Sequence, residues 1–160
     1  LLLKDIDNST IYFNNFTKNT VGIYSEGSNK LTVQNNRFEN NGWAMKILGN
    51  CYDDVFSFNT FRNNVFDLAT NSSRNTNKFE YNYWDKYNGY DLEKDGIGDV
   101  AYRPMNLFSL LIETSPDAII LLNSFMVNII DFAEKVSPAF TPETLIDERP
   151  LMKEFINAES

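Results

Sequence analysis

An acidic stretch at residues 91–99 carries the residue types most capable of chemistry in this sequence. It reads DLEKDGIGD, with carboxylates at its first, third, fifth and ninth positions and glycine at its sixth. Alternating oxygen ligands, followed by a glycine that permits a sharp turn, are typical of the front half of an EF-hand-type calcium loop. The pattern predicts a structural calcium site with these ligands: Asp91, Glu93, Asp95, the carbonyl group of Ile97, and Asp99.

The same stretch departs from a full calcium loop at two positions. Its twelfth position is Tyr102 where that loop has a bidentate glutamate, and its third position is Glu93 where that loop has aspartate or asparagine. The alternative interpretation is an acidic turn whose side chains accept hydrogen bonds from backbone N–H groups. In either case, the pattern indicates no reaction that the loop would catalyse.

Composition excludes several classes of function. The 160 residues contain no histidine, which removes the commonest general base and any Ser-His-Asp or Cys-His device. Cys51 is the one cysteine, so an intrachain disulfide is excluded. The formal net charge of −8 argues against nucleic acid as a partner, because phosphate backbones are bound by clustered basic residues.

The first half of the chain, which precedes the acidic stretch, contains a sequence repeat. Its aromatic residues are spaced 22, 23 and 23 residues apart, at Phe16, Phe38, Phe61 and Trp84. Further apolar residues recur at fixed offsets from them, in the columns Ile11/Val33/Phe56/Phe79, Val21/Trp43/Phe66 and Ile23/Met45/Leu68. A step of two favours short strands over helices, and a period in this range is typical of stacked repeats.

The repeat predicts a mainly β fold, a right-handed parallel β-helix with coils of about 22–23 residues. Asparagine and glycine are expected at its corners, where left-handed backbone is tolerated, and stacked asparagines are expected to form hydrogen-bonded ladders. We expect residues 1–89 to be the coils, as a fragment of a longer β-helix. Residues 90–104 are then the acidic loop, and residues 105–160 a helical tail or cap.

The tail contains one long apolar segment, residues 118–135. Ser115, Pro116 and Asp117 form a helix start signal ahead of it. Polar residues interrupt the segment, so we predict that it does not span a membrane. A helix this apolar either caps the open end of the β-helix or covers a partner. The predicted partner-binding residues are Ile119, Leu122, Phe125, Met126, Ile129 and Ile130.

The succession of these parts resembles the C-terminal part of the NosD family. The resemblance is carried by the N-x-F/W coil repeats, by Asn82-Tyr83-Trp84, and by Asp95-Gly96-Ile97-Gly98-Asp99 with Tyr102-Arg103-Pro104. The apolar segment and the string Ile146-Asp147-Glu148-Arg149-Pro150-Leu151-Met152 follow.

The resemblance implies a non-enzymatic periplasmic accessory protein, peripherally associated with the inner membrane. Such proteins assist assembly of the copper–sulfide centres of nitrous oxide reductase, together with the ATPase and the permease of an ABC-type transporter. The resemblance also implies copper. Copper(I) favours thiolate, thioether and imidazole ligands. The soft donors here are Cys51, Met45, Met105, Met126 and Met152, and Met45, Met126 and Cys51 are better explained as core, so the sequence identifies no copper ligand set.

The competing hypothesis is a carbohydrate-binding or polysaccharide-degrading β-helix. Its candidate residues are the aromatics Tyr83, Tyr87 and Tyr90 and the acids Asp85, Asp91 and Asp95. Glycoside hydrolysis needs two carboxylates that face each other across a cleft. The acids here cluster in one linear stretch, and one matching column of the coils holds Lys18, Asn40, Asn63 and Lys86 instead.

Overall fold

The computed structural model of the protein describes residues 1–71, 76–105 and 145–154, together with single positions at 115, 117 and 120. Within this part, twelve short strands form three parallel sheets of four strands. The first sheet contains β1, β4, β7 and β10, at Leu2–Lys4, Val21–Glu26, Trp43–Ile47 and Phe66–Ala69. The second contains β2, β5, β8 and β11, at Thr10–Tyr12, Thr32–Gln34, Val55–Ser57 and Lys78–Glu80. The third contains β3, β6, β9 and β12, at Asn15–Thr17, Arg37–Glu39, Thr60–Arg62 and Tyr83–Trp84.

Successive strands lie in successive sheets, so the chain returns to the same sheet every third strand. The result is a parallel β-helix of about three turns, which confirms the predicted fold class for this half of the chain. The register is the one that the repeat predicts. Ile11 pairs with Val33, Val33 with Phe56, and Phe56 with Phe79. The right-handed sense of the coils stays a prediction.

The core of the β-helix contains columns of stacked rings. Phe16, Phe38, Phe61 and Trp84 form one column, with neighbouring ring centroids 4.9, 5.0 and 3.9 Å apart and ring planes within 10° of parallel. A spacing close to the strand separation of about 4.8 Å lets each ring cover the next one while every strand keeps its backbone bonds. Each coil therefore buries its aromatic side chain against the coils beside it.

The corners differ from the prediction in one respect. The left-handed positions preceding one asparagine column are Phe13, Asn35, Phe58 and Tyr81, with φ between 54° and 57°. The column asparagines Asn14, Asn36, Asn59 and Asn82 each follow such a residue and have no positive φ themselves. Tolerance of left-handed backbone therefore does not explain these asparagines, and their side-chain hydrogen bonds do.

The longest described part of the predicted helical tail is residues 145–154, which contains isolated β-bridges and bends and is not helical. This return segment forms single parallel bridges to the last coil, Phe79 to Asp147 and Tyr83 to Leu151. Two antiparallel bridges join it to the second half of the acidic loop, Ile97 to Leu151 and Tyr102 to Asp147. We call residues 97–105 and 145–152 the cap. The predicted long helix, residues 118–135, lies outside the described residues.

Candidate functional site

Asparagine ladders link the coils along the axis of the β-helix and lead to the cap. In the first ladder the backbone N–H and Nδ2 of Asn14 both donate to Oδ1 of Asn36, at 3.0 and 3.1 Å. Asn36 donates in the same way to Asn59, and Asn59 to Asn82. Every hydrogen bond of this ladder is donated toward the C-terminal end. The backbone N–H and Nδ2 of Asn82, the last asparagine, therefore have no further asparagine to donate to.

Asp147 of the return segment supplies that acceptor. Its Oδ2 accepts hydrogen bonds from the backbone N–H of Asn82 at 3.1 Å, from Asn82 Nδ2 at 3.0 Å and from Trp84 Nε1 at 2.9 Å. Its Oδ1 accepts a hydrogen bond from the backbone N–H of Arg149 at 3.1 Å. The side chain is fully buried, and burial raises the pKa of the Asp147 carboxyl while the bonds from Trp84 and Asn82 partly oppose the rise. Asp147 therefore ends both the asparagine ladder and the aromatic column.

The second ladder, at the next corner, reaches Asn64, which lies beside Lys86 and Asp67. The backbone N–H and Nδ2 of Asn19 donate to Asn41, and those of Asn41 donate to Asn64. Lys86 Nζ then donates to the carbonyl oxygen of Asn64 at 2.8 Å and to Oδ2 of Asp67 at 3.2 Å. Burial raises the pKa of Asp67 to about 6, against the opposing charge of Lys86. Its ion pair with Lys86 is therefore a partly buried contact at the same end of the β-helix as the cap.

The two ends of residues 106–144 are held side by side in the cap. The backbone N–H of Tyr102 donates to the carbonyl of Asp147 at 2.8 Å, and the N–H of Asp147 donates to the carbonyl of Tyr102 at 2.9 Å. Beyond this pair, Met105 and Leu145 are both buried in the core, at 4% and 2% exposure. The described residues that flank 106–144 thus both belong to the core, and the chain on either side of them is paired through Tyr102 and Asp147.

The carboxylates of the acidic loop accept backbone hydrogen bonds. Asp91 accepts from the N–H groups of Asp95 and Gly96, Asp95 accepts from Ile97, and Asp99 accepts from Leu92. Among the residues that the structure describes, no three His, Cys, Asp or Glu side chains form a group that could hold a metal ion. The structure therefore does not assemble the predicted calcium ligands, and it favours the alternative of an acidic turn.

The position of Tyr87 explains two glycines of this region, Gly89 and Gly98. Its ring packs against the core and its hydroxyl donates to the carbonyl of Val100 at 2.7 Å. A Cβ atom at Gly89 or at Gly98 would overlap the Tyr87 side chain. The backbones of Gly89 and Gly98 thus both lie against the Tyr87 side chain. This accounts for the Gly98 position without a metal.

The saccharide hypothesis loses support from the same geometry. Of its three aromatic candidates, only Tyr90 is exposed. Tyr87 and Tyr83 are half-buried, and Tyr83 belongs to strand β12. Asp85 accepts a hydrogen bond from the backbone N–H of Asn63 at 2.6 Å, so this acid serves a corner of the coil.

The soft donors among the described residues do not fit a copper site. Cys51 is buried at 3% exposure, and its Sγ lies 3.4 Å from the hydroxyl of Ser25. Met45 is fully buried in the core, on the β-strand that pairs with Leu68, and Met105 is buried in the cap. These three side chains are core residues, and Met152, in the return segment, is half-buried, so no copper ligand set is assigned to the described residues.

Sequence reasoning missed two residues of the return segment. Asp147 lies in the string Ile146 to Met152, whose residue types predict no role for it. Glu154 reaches back along the third sheet to form ion pairs with Arg37, at 3.0 Å, and with Arg62. Asp147 pairs with Phe79, in a column where the repeat predicts an apolar residue, so the repeat itself gives no signal for it.

The predicted partner-binding residues lie outside the described residues. They are Ile119, Leu122, Phe125, Met126, Ile129 and Ile130, and their role stays a prediction. Within the part of the chain that the structure describes, no helix is long and apolar enough to cross a membrane.

A parallel β-helix with asparagine ladders, closed at one end by a return segment, defines a repeat protein of the solenoid class. The chain belongs to the NosD family: residues 1–89 match the family described as "Periplasmic copper-binding protein (NosD)".

Two curated relatives carry the name "Probable ABC transporter binding protein NosD". The chain is 29% identical to the protein from Stutzerimonas stutzeri over 126 residues, which is 76% of this chain and 29% of the relative. It is 31% identical to the protein from Pseudomonas aeruginosa over 126 residues, 74% of this chain and 29% of the relative. The chain thus spans less than a third of the length of the relatives it matches.

Proposed function

We propose that this chain is the capped β-helical part of a non-enzymatic periplasmic accessory protein that binds an ABC-type transporter. We propose further that it assists assembly of the copper–sulfide centre of nitrous oxide reductase, at the periplasmic side of the inner membrane. Copper enters this proposal as cargo, and we assign no copper ligand to the described residues. The support comes from the family and from the names of the two relatives.

The observation that carries the proposal is the construction of the cap. Residues 97–105 and 145–152 cover the last coil, and the paired backbones of Tyr102 and Asp147 hold the two ends of residues 106–144 together. Asp147 accepts the hydrogen bonds of Asn82, the last asparagine of the first ladder. A cap made in this way supports the hypothesis that the apolar stretch 118–135 serves a partner.

The chemistry of the acids supports a non-enzymatic role. The buried carboxylates Asp54, Asp67 and Asp147 sit within the β-helix or its cap at 0–2% exposure. A hydrolase needs its acid and its base at an accessible cleft. The hydrogen bonds of Asp67 and Asp147 to ammonium, amide and backbone groups suit a role in stability.

The test is co-purification of the full chain with solubilised inner-membrane proteins, with partners identified by mass spectrometry. Phe125→Asp together with Ile129→Asp places charge in the predicted partner-binding residues, and Asn123→Asp with Asn128→Asp is the matched control at polar positions. We expect an ABC-type permease and its ATPase with the unaltered chain and with the control, and their loss with the first pair. Recovery of both proteins with all three chains would contradict the proposed binding residues, and recovery with none would contradict the proposal.

A further inference from the structure

The outer face of the third sheet carries two arginines that share one carboxylate. Arg37 and Arg62 lie on the neighbouring strands β6 and β9, next to Phe38 and Phe61, whose side chains are fully buried. Because side chains alternate along a strand, the two arginines project from the outer face. Nη1 of Arg37 lies 3.0 Å from Oε2 of Glu154, and Nη2 of Arg62 forms an ion pair with Oε1. We call Arg37 and Arg62 the arginine pair.

Glu154 is held on this face by its side chain. Leu151 still pairs with the last strand, β12, and the backbone N–H of Met152 donates to the carbonyl of Gly96 at 3.0 Å. Among the described residues, neither Lys153 nor Glu154 forms a backbone hydrogen bond. Strand β6 lies two strands away from β12, so the chain after Met152 runs across the sheet. The carboxylate of Glu154 therefore supplies the polar contact that keeps residues 153–154 there.

The contact is accessible from solvent, and the arginines are oriented without it. The side chains of Arg37 and Arg62 are 41% and 43% exposed, and that of Glu154 is 16% exposed. Ion pairs between groups this exposed are weak and are screened by salt. Glu39 also accepts a hydrogen bond from Nε of Arg37, at 3.1 Å. The sheet itself thus presents Arg37 in a position to bind a carboxylate.

Charge and geometry select the occupant. The chain has a formal net charge of −8, so two adjacent arginines are a local exception that attracts negative groups. Guanidinium groups suit planar carboxylates, and Glu154 shows that a glutamate within a polypeptide fits between these two. Because Glu154 is tethered, its effective concentration at the site is high. A competitor needs several carboxylates in one segment to replace it.

We propose that the arginine pair is a binding site for an acidic segment of a partner protein, and that Glu154 occupies this site as an autoinhibitory contact. Binding of the acidic segment replaces the Glu154 carboxylate and releases residues 153–154 from the third sheet. The inference is independent of the proposed transporter binding, which concerns residues 118–135.

The test measures binding of a fluorescein-labelled hexaglutamate peptide to the full chain at low salt, by fluorescence anisotropy. A glycine-serine peptide of the same length is the control ligand. Glu154→Gln empties the arginine pair, and Glu148→Gln makes the same charge change at an exposed residue of the return segment. We expect Glu154→Gln to bind hexaglutamate about fivefold or more tighter than the unaltered chain, and Glu148→Gln to leave the affinity unchanged.

A second comparison tests the arginines themselves. In the Glu154→Gln chain, Arg37→Gln with Arg62→Gln should abolish the gain, whereas Lys30→Gln with Lys94→Gln removes the same charge at exposed positions elsewhere and should keep most of it. The thermal unfolding midpoint of each chain records that it is folded. Added salt should weaken the binding by Glu154→Gln, which tests the ionic contact without a further substitution.

Two results would overturn the proposal. One is equal affinity of Glu154→Gln and Glu148→Gln for hexaglutamate, including no binding by either, because Glu154 would then be a structural ion-pair partner only. The other is a gain that persists after both arginines are replaced, because the peptide would then bind elsewhere.

Discussion

Asp54 is a carboxylate in a position that suits an amide. Its Oδ1 accepts the backbone N–H of Leu31 at 2.8 Å, while Oδ2 is buried with no hydrogen-bond partner among the described residues. One coil further on, Asn77 uses its Nδ2 to donate to the carbonyl of Cys51. Burial raises the pKa of Asp54 from 3.8 to about 6. The folded state thus holds a proton at pH values where the unfolded chain has lost it.

Asp54→Asn should stabilise the protein at neutral pH. Because the folded-state pKa is the higher one, the contribution of Asp54 is most favourable below pH 4 and is lost as pH rises toward 6. We expect the variant to gain about 1–3 kcal/mol at pH 7 and little at pH 4, measured by urea unfolding across that range. Asp53→Asn, at the exposed neighbour, is the control. An equal gain at both pH values would contradict this explanation.

Asp147 joins the return segment to the last coil through a single oxygen atom. Asp147→Ala leaves the backbone N–H of Asn82 and Nε1 of Trp84 without an acceptor, and we expect a loss of about 2–4 kcal/mol in urea unfolding. Asp147→Asn keeps an acceptor oxygen for these donors and removes a buried charge, so its loss should be clearly smaller. If the two variants lost the same stability, the ladder-ending role of Asp147 would be wrong.

At the scale of elements, the aromatic column is the main support of the coils. Phe38 is fully buried between Phe16 and Phe61. Phe38→Ala should cost about 3–5 kcal/mol of unfolding free energy, because it leaves a cavity inside the stack. Phe13→Ala, at a corner residue that is 63% exposed, should change it by less than about 0.5 kcal/mol. Denaturant unfolding distinguishes the two, and similar losses would contradict the stacked core.

The acidic loop gives a second comparison at this scale. Gly98→Ala would force Tyr87 to move, with an expected loss of about 1–3 kcal/mol. Gly96 has a φ of +87° and no atom within 4 Å of an added Cβ, so Gly96→Ala should cost only about 1 kcal/mol of backbone strain. Thermal unfolding with and without calcium adds a check. A calcium-dependent rise in the unfolding midpoint that Asp91→Asn abolishes would favour the metal site over the acidic turn.

The coils were predictable from the sequence and the cap was not. A coil repeats its apolar residues at fixed offsets, so Phe16, Phe38, Phe61 and Trp84 identify their own register. The return segment pairs one residue at a time, and Asp147 reaches Asn82 across 65 residues. Nothing in the local pattern encodes such a contact. The carboxylates at 91–99 have a clear local pattern, but the pattern does not identify their partner. The same spacing suits a cation and backbone N–H groups.

At the scale of the whole molecule, the described residues on either side of 106–144 belong to the cap. Deleting all of residues 105–160 would also remove Met105, Leu145 and Asp147, and would confuse loss of the cap with loss of binding. The sharper variant replaces residues 106–144 with a short glycine-serine linker, because the Tyr102–Asp147 pair already holds its two ends together.

The most direct test of the central claim is the affinity of this linker variant for the purified ABC-type transporter in detergent, compared with that of the full chain. Circular dichroism of both chains records whether the β-helix is retained. We expect a retained β-helix and an affinity at least tenfold weaker, which is about 1.4 kcal/mol or more. Unchanged affinity in a folded linker variant would contradict the claim that this part of the chain binds the transporter.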